Sequence, residues 1–314
     1  MSRIELLKRA GKLLATRTLA LLVLCTPAYS AEPAVADAEP QPLIVADVVY
    51  GHKDGLAMTF DIFRPDSKTT GKPANGAAIA FMVSGGWYSK WAPPQQAQAF
   101  FQPYLNEGYT VFAVRHGSSP VYGIPDAVSD VRRAIRFIRL NSYDYGIDPD
   151  RLGVMGMSAG GHLSLMLATT GDDGDPAAVD PVLRTGNRVA AVAALVPPSD
   201  LRVAVWEAEE SLPAYRNFPA LDLSVEEAAK YSPLLFVTAD DAPALIISGT
   251  LDDLVPPRHG EWIAAEYEKN GLDHQLLLLE ANHGLNGKQG EAFQAVIDWF
   301  NEHLLDSELE SGSQ

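Results

Sequence analysis

Residues 152–165 read L-G-V-M-G-M-S-A-G-G-H-L-S-L, and the fold follows from how this stretch must bend. Its first four residues form an apolar run of strand length. Gly156-Met157-Ser158-Ala159-Gly160 comes next, and then Leu163, Met166 and Leu167 recur at helical spacing, which places them on one face. The reading is a buried strand, a very tight turn and a helix. A serine stands at the tip. Glycines stand two positions away on each side, where a side chain would collide with the folded-back chain. Strand, G-x-S-x-G and helix together expose a serine hydroxyl as a nucleophile. The bare pattern also fits a glycine-rich loop, so the surrounding chain has to decide.

Outward from that stretch, strand and helix alternate. Residues 44–50 and 58–63 are extended runs around a polar turn, expected to form a hairpin at a sheet edge. Residues 66–76 read as a loop. Buried strands are expected at 77–83, 110–114, 152–155, 189–196, 244–248 and 275–279. Helices are expected at 95–107 (apolar face Phe100, Phe101, Tyr104, Leu105), 126–140, 258–270 and 289–304. In the helix 126–140, Val128, Val131, Ile135 and Ile138 face inward, and Arg132, Arg133, Arg136 and Arg139 face outward. The fold class predicted is α/β: a doubly wound, mostly parallel sheet flanked by helices. Residues 199–241 are irregular and hold Trp206, Tyr215, Phe218 and Tyr231; they are expected to form a small cap insertion. No internal repeat is visible.

The chain has 314 residues, 47% of them hydrophobic and 20% charged, with no linker through the middle, so a single catalytic-size domain over 43–305 is expected. A net charge of −16 disfavours nucleic acid and anionic membrane surfaces as partners. Arg3, Lys8, Arg9, Lys12 and Arg17 precede an apolar run from Leu19 to Leu24, and Ala28-Tyr29-Ser30 supplies small residues at −3 and −1. Residues 1–30 therefore read as a signal peptide cleaved before Ala31, which predicts a secreted or periplasmic protein with no stable membrane association after cleavage. The single cysteine, Cys25, lies in that segment. Leu24 before it disfavours lipidation, and a chain without cysteine excludes thiol and Cys-zinc chemistry. Residues 31–42, rich in Ala, Pro and acids, read as a disordered spacer, and 306–314 as a disordered tail.

In a doubly wound sheet, ligands bind beyond the carboxyl ends of the strands. Three residues there come in the order Ser158, Asp252, His283. A serine hydroxyl is a weak nucleophile that needs a base, and an imidazole base needs a carboxylate to fix its tautomer and stabilise its cation. Asp252 precedes Val255-Pro256 by three residues and is preferred to its neighbour Asp253 and to Asp200 after an earlier strand. His283 is preferred to His52, His259, His274 and His303, whose settings are an edge hairpin, helix ends or a strand start. His162, one turn past Ser158, is expected to make a buried hydrogen bond to Asp130. Ser84-Gly85-Gly86-Trp87 ends a strand abruptly and is placed to supply backbone N–H donors, with Ala159 as a further donor. Ser84, Tyr88 and His116 are candidate substrate-pocket residues. Trp91 is read either as a pocket wall or as loop packing.

As a set, V-S-G-G-W-Y, D-A-V-S-D-V-R-R-A-I-R-F-I-R, G-I-D-P-D-R-L-G-V-M-G-M-S-A-G-G-H-L, S-G-T-L-D-D-L-V-P-P and E-A-N-H-G resemble the α/β-hydrolase superfamily over about residues 44–304. Within it the chain looks most like secreted bacterial acetylxylan and feruloyl esterases. Hormone-sensitive-lipase-like esterases are more distant. The resemblance implies Ser158 as nucleophile, Asp252 as acid, His283 as base, and Gly86, Trp87 and Ala159 as the oxyanion-hole donors. One departure stands out: Ser84 occupies the place where the family's His-Gly-Gly loop has histidine. The function expected is hydrolysis of short-chain or aromatic acyl esters through an acyl-enzyme, on a small molecule or a plant polysaccharide. No metal or organic cofactor is called for. A prolyl-oligopeptidase-like peptidase shares the fold and the D-x-x-V acid loop, but no β-propeller precedes the catalytic strands here. A non-catalytic binding protein on the same scaffold is the third reading.

Overall fold

The structure is a computed structural model and describes residues 43–210 and 217–305. The expected signal peptide, spacer and tail lie outside the described residues. The element order is β1 (Ile44–Lys53), β2 (Leu56–Phe63), α1 (Ser67–Thr70), β3 (Ala78–Met82), α2 (Pro94–Asn106), β4 (Thr110–Val114), α3 (Ile124–Leu140), α4 (Ser142–Tyr145), β5 (Leu152–Met157), α5 (Ala159–Thr169), α6 (Pro181–Arg184), β6 (Ala191–Leu195), α7 (Leu201–Glu210), α8 (Val225–Ala229), β7 (Ala244–Gly249), α9 (Arg258–Lys269), β8 (His274–Leu279) and α10 (Gln289–Leu304). Short 3₁₀ turns at Pro219–Leu221 and Pro233–Leu235 complete the stretch between β6 and β7.

The eight strands form one sheet in the order β1-β2-β4-β3-β5-β6-β7-β8. The β1-β2 hairpin sits at one edge and joins β4 antiparallel; all other pairs are parallel. Helices cover both faces. α2 and α10 pack on one side, through Phe101, Tyr104, Leu105, Val296 and Phe300. α3, α5 and α9 pack on the other, through Val131, Ile135, Leu163, Met166, Ile263 and Tyr267. Burial on both faces is why β4, β6 and β7 are almost wholly apolar, with Thr110 and Ser248 the polar exceptions: every residue of each is buried.

Several local expectations are corrected. The segment 66–76 contains one helical turn, capped by Asp66, whose carboxylate accepts the Lys68 N–H. All eleven residues of α5 are buried, not one face, because the sheet, α3 and the segment after β6 enclose it. Arg136 does not face solvent. It is buried and donates to the Thr185 carbonyl and the Asp172 carboxylate, because α6 and its flanking loops cover that side of α3. Phe100 is 42% exposed at the rim of α2, with its ring against Phe81 and Phe293.

Candidate active site

Ser158 joins β5 to α5 with φ 56° and ψ −121°, a conformation that costs a non-glycine residue about 1–3 kcal/mol and persists only where the surroundings impose it. The surroundings do so through the flanking glycines. A Cβ on Gly156 would lie 2.4 Å from the Gly160 carbonyl carbon, and one on Gly160 would lie 2.5 Å from the Met82 oxygen. The chain can fold back this tightly only where both side chains are absent. The Ser158 N–H donates to the Leu195 carbonyl at 2.8 Å. Ala159 opens α5, so its N–H has no partner within the helix.

The turn brings Ser158 to His283. Ser158 Oγ is 2.9 Å from His283 Nε2, and His283 Nδ1 is 2.7 Å from Asp252 Oδ2. A carboxylate only accepts, so the imidazole proton sits on Nδ1 and Nε2 is left to accept the serine proton. Asp252 is held firmly: its other oxygen accepts the N–H groups of Leu254 and Val255, both at 2.9 Å, and its side chain is fully buried. Its neighbour Asp253 is exposed. Asp200 is engaged elsewhere, by Arg202 and Ser232. The acid and base loops are tied together, with Thr250 N–H donating to Leu279 and Leu251 N–H to Ala281.

Across from Ser158, residues 85–88 turn sharply. Gly85 and Tyr88 exchange backbone hydrogen bonds at 3.1 and 3.0 Å, and Gly86 and Trp87 between them have φ of 57° and 56°. Two successive left-handed residues are the signature of a type I′ turn. Among the described residues, neither the Gly86 nor the Trp87 N–H meets a backbone acceptor. Ser84 does not contact solvent alone. Its hydroxyl donates to His116 Nε2 at 2.9 Å, while His116 Nδ1–H donates to the Gly117 carbonyl at 2.7 Å. Burial pushes the His116 imidazole pKa below its usual value, in keeping with this neutral tautomer. A serine–histidine pair thus braces the loop at the position of the departure noted above.

A small cavity of about 20 Å³ opens beside Ser158, lined by Gly86, Trp87, Pro198, Ala204, Phe218, Leu221, Leu254 and Val255. Of the sequence candidates, Gly86, Trp87 and Ser158 line it. Ser84 and His116 stand behind the loop, and Tyr88 is 55% exposed. Phe218 is among the aromatics of the expected cap, while Ala204 and Leu221 carried no signal; the segment 199–241, read as irregular, in fact includes the helix α7, which holds Ala204. His162 does not bond Asp130, which instead receives Lys53 and the Gly117 N–H. His162 Nδ1 accepts from Trp87 Nε1 at 3.1 Å, and its Nε2 is 2.7 Å from the Tyr231 carbonyl. Among the described residues, no group of three or more His, Cys, Asp or Glu side chains could hold a metal ion, and no helix is long and apolar enough to cross a membrane.

A family model, BD-FAE, matches residues 60–267. Among curated relatives, the probable carboxylic ester hydrolase LipM of Mycobacterium tuberculosis is 29% identical over 215 residues, covering 67% of this chain and 48% of LipM. Esterase LipQ of the same organism is 27% identical over 230 residues, covering 72% and 53%. The chain therefore spans about half the length of the curated relatives it matches. Among solved structures, a truncated carbohydrate esterase from gut microbiota superposes with a TM-score of 0.68 at 26% identity, over 83% of this chain and 96% of that one. An acetyl ester-xyloside bifunctional hydrolase from Caldicellulosiruptor lactoaceticus superposes with a TM-score of 0.69 at 22% identity, over 83% and 97%, a likeness of fold.

Proposed function

The chain belongs to the BD-FAE family, and from that premise we propose that it is a serine carboxylic-ester hydrolase acting on short acyl esters. One observation carries the reading: the hydrogen-bonded series from Ser158 Oγ through His283 to the buried Asp252 carboxylate, beside a small apolar cavity. In the first half-reaction Ser158 Oγ attacks the ester carbonyl carbon and His283 Nε2 takes its proton. Asp252 stabilises the imidazolium without taking up the proton itself. The carbonyl oxygen becomes an oxyanion, received by the N–H groups of Gly86, Trp87 and Ala159; losing one such donor costs about 3 kcal/mol of transition-state stabilisation. The C–O bond to the alcohol breaks, and His283 returns its proton to the leaving oxygen. In the second half-reaction water attacks the acyl-enzyme carbonyl, giving its proton to His283. The acid is released and Ser158 recovers its proton.

The cavity limits the acyl group. Its walls, from Phe218, Leu221, Leu254 and Val255, are apolar and close to Ser158, which favours a short acyl group over longer chains. Tyr88 and Trp91, in the segment that carries the oxyanion turn, present exposed rings of the kind that suit a sugar face on the alcohol side. The solved carbohydrate esterase at 26% identity supports a polysaccharide-borne ester. The N-terminal pattern supports export to the periplasm or medium. The test is a turnover panel of p-nitrophenyl esters of rising chain length, acetylated xylan, methyl ferulate and a proline-directed peptide. The reading expects acetyl esters, free and xylan-borne, to be the best substrates. Turnover of the peptide alone would overturn it.

A further inference from the structure

We propose that His162 is a positioning residue for this reaction: through the Trp87 indole it holds the 85–88 turn so that the Gly86 and Trp87 N–H groups face the substrate carbonyl. The inference rests on the ester-hydrolase reading and adds a residue that takes no part in the proton transfers.

Trp87 is the weak point of the turn. It is a non-glycine residue at φ 56°, where a side chain is strained, and the strain has to be held by contacts. Its indole is buried, at 3% exposure, and makes one hydrogen bond, Nε1–H to His162 Nδ1 at 3.1 Å, with the rings edge-on at 5.4 Å and 78°. His162 in turn belongs to the nucleophile's own helix. It stands four residues after Ser158, and its backbone N–H donates to the Ser158 carbonyl at 2.9 Å. One side chain therefore fixes the distance between the turn that carries the nucleophile and the turn that carries the oxyanion donors. Its second nitrogen completes the bracing. A carbonyl can only accept, so His162 Nε2–H donates to Tyr231, in the segment that returns from α8. An indole can only donate, so Nδ1 accepts. Both bonds require the same neutral tautomer, and full burial favours that neutral form. Sequence alone could not show this, because Trp87 and Tyr231 lie 75 and 69 residues from His162.

Two substitutions separate positioning from packing. Asparagine carries its oxygen near the place of Nδ1 and can still accept from Trp87, but does not reach Tyr231. Glutamine carries its amide nitrogen near the place of Nε2 and can still donate to Tyr231, but presents no acceptor at Nδ1. Initial rates on p-nitrophenyl acetate are measured for the wild type, His162→Asn, His162→Gln and Trp87→Phe, each after recording cooperative thermal unfolding. The proposal expects His162→Gln and Trp87→Phe each to lower kcat about 10–100-fold, short of the 10²–10³ for a deleted donor. KM should stay within about threefold, since a misaimed oxyanion donor acts on the transition state. His162→Asn should recover most of kcat, and the double variant His162→Gln/Trp87→Phe should be no worse than the poorer single. Equal kcat losses in Asn and Gln, or losses confined to KM, overturn the proposal. If His162→Gln does not fold, Trp87→Phe reads the same bond from its other end, and wild-type kcat there overturns it. A wild type that hydrolyses no ester would instead remove the ester-hydrolase reading.

Discussion

Replacing Phe218 by alanine should open the acyl pocket, and the size of the effect can be worked from the structure. The Phe218 ring is half-buried and rests against the oxyanion turn: a Cβ built on Gly86 would lie 2.5 Å from its Cδ1 and 2.6 Å from its Cε1. The ring, with Leu221 and Val255, closes a cavity of about 20 Å³. On the proposed reading the ring stands where an acyl chain longer than acetyl would extend, and butyryl carries two further methylenes. With the ring removed, those methylenes can be buried at about 0.8 kcal/mol each, or about 1.6 kcal/mol together. That corresponds to a ~15-fold rise in the butyrate-to-acetate ratio of kcat/KM. The assay is kcat/KM on p-nitrophenyl acetate and butyrate for both proteins, with thermal unfolding to confirm the fold. A ratio unchanged within twofold, with the variant folded, would mean that this cavity does not hold the acyl chain.

Asp252→Asn should lower kcat by about 10⁴, the scale seen when a triad acid is made neutral, while Asp253→Asn, exposed in the structure, should change it less than twofold; steady-state kinetics of the pair decides. Gly160→Ala places a Cβ 2.5 Å from the Met82 oxygen, so the turn must shift, and both activity and the unfolding midpoint should fall, as calorimetry and rates will report. Stability should decline on acidification, because burial depresses both His162 and His259 from 6.5 to about 4 in the folded state. The unfolded chain takes up these protons first, so the loss begins as pH falls below 6.5 and is complete below 4, at about 3 kcal/mol for each histidine. Urea unfolding at pH 7.5, 5.5 and 4.5, chosen as about the two ends and middle of that window, should show a falling midpoint; a flat profile would contradict buried neutral histidines.

The strands were legible because each buried parallel strand is an apolar run ended by Gly, Pro or a polar residue, as at 244–249 and 191–195. Ser158, Asp252 and His283 could be picked out because each stands just beyond a strand end, where the sheet brings distant segments together. Helix faces were less secure. The arginines of α3 repeat as a solvent face would, yet Arg136 is covered by α6 and the 172–185 loops, whose docking leaves no period in the sequence. The partner of His162 was misread for the same reason: the Trp87 indole and the Tyr231 carbonyl reach it only through the tertiary fold. The pocket wall joins Ala204 of the helix α7 to Phe218 and Leu221 at a short 3₁₀ turn, residues that only the tertiary fold brings together.

In the proposed mechanism Ser158 carries the covalent acyl intermediate. Rapid mixing with excess p-nitrophenyl acetate, acid quenching and peptide mass mapping tests it most directly. An acetyl group should be found on the peptide containing Ser158 and on no peptide of folded Ser158→Ala, which should also release no nitrophenol above the buffer rate. An acetyl group on a different residue, or sustained turnover by Ser158→Ala, would contradict it.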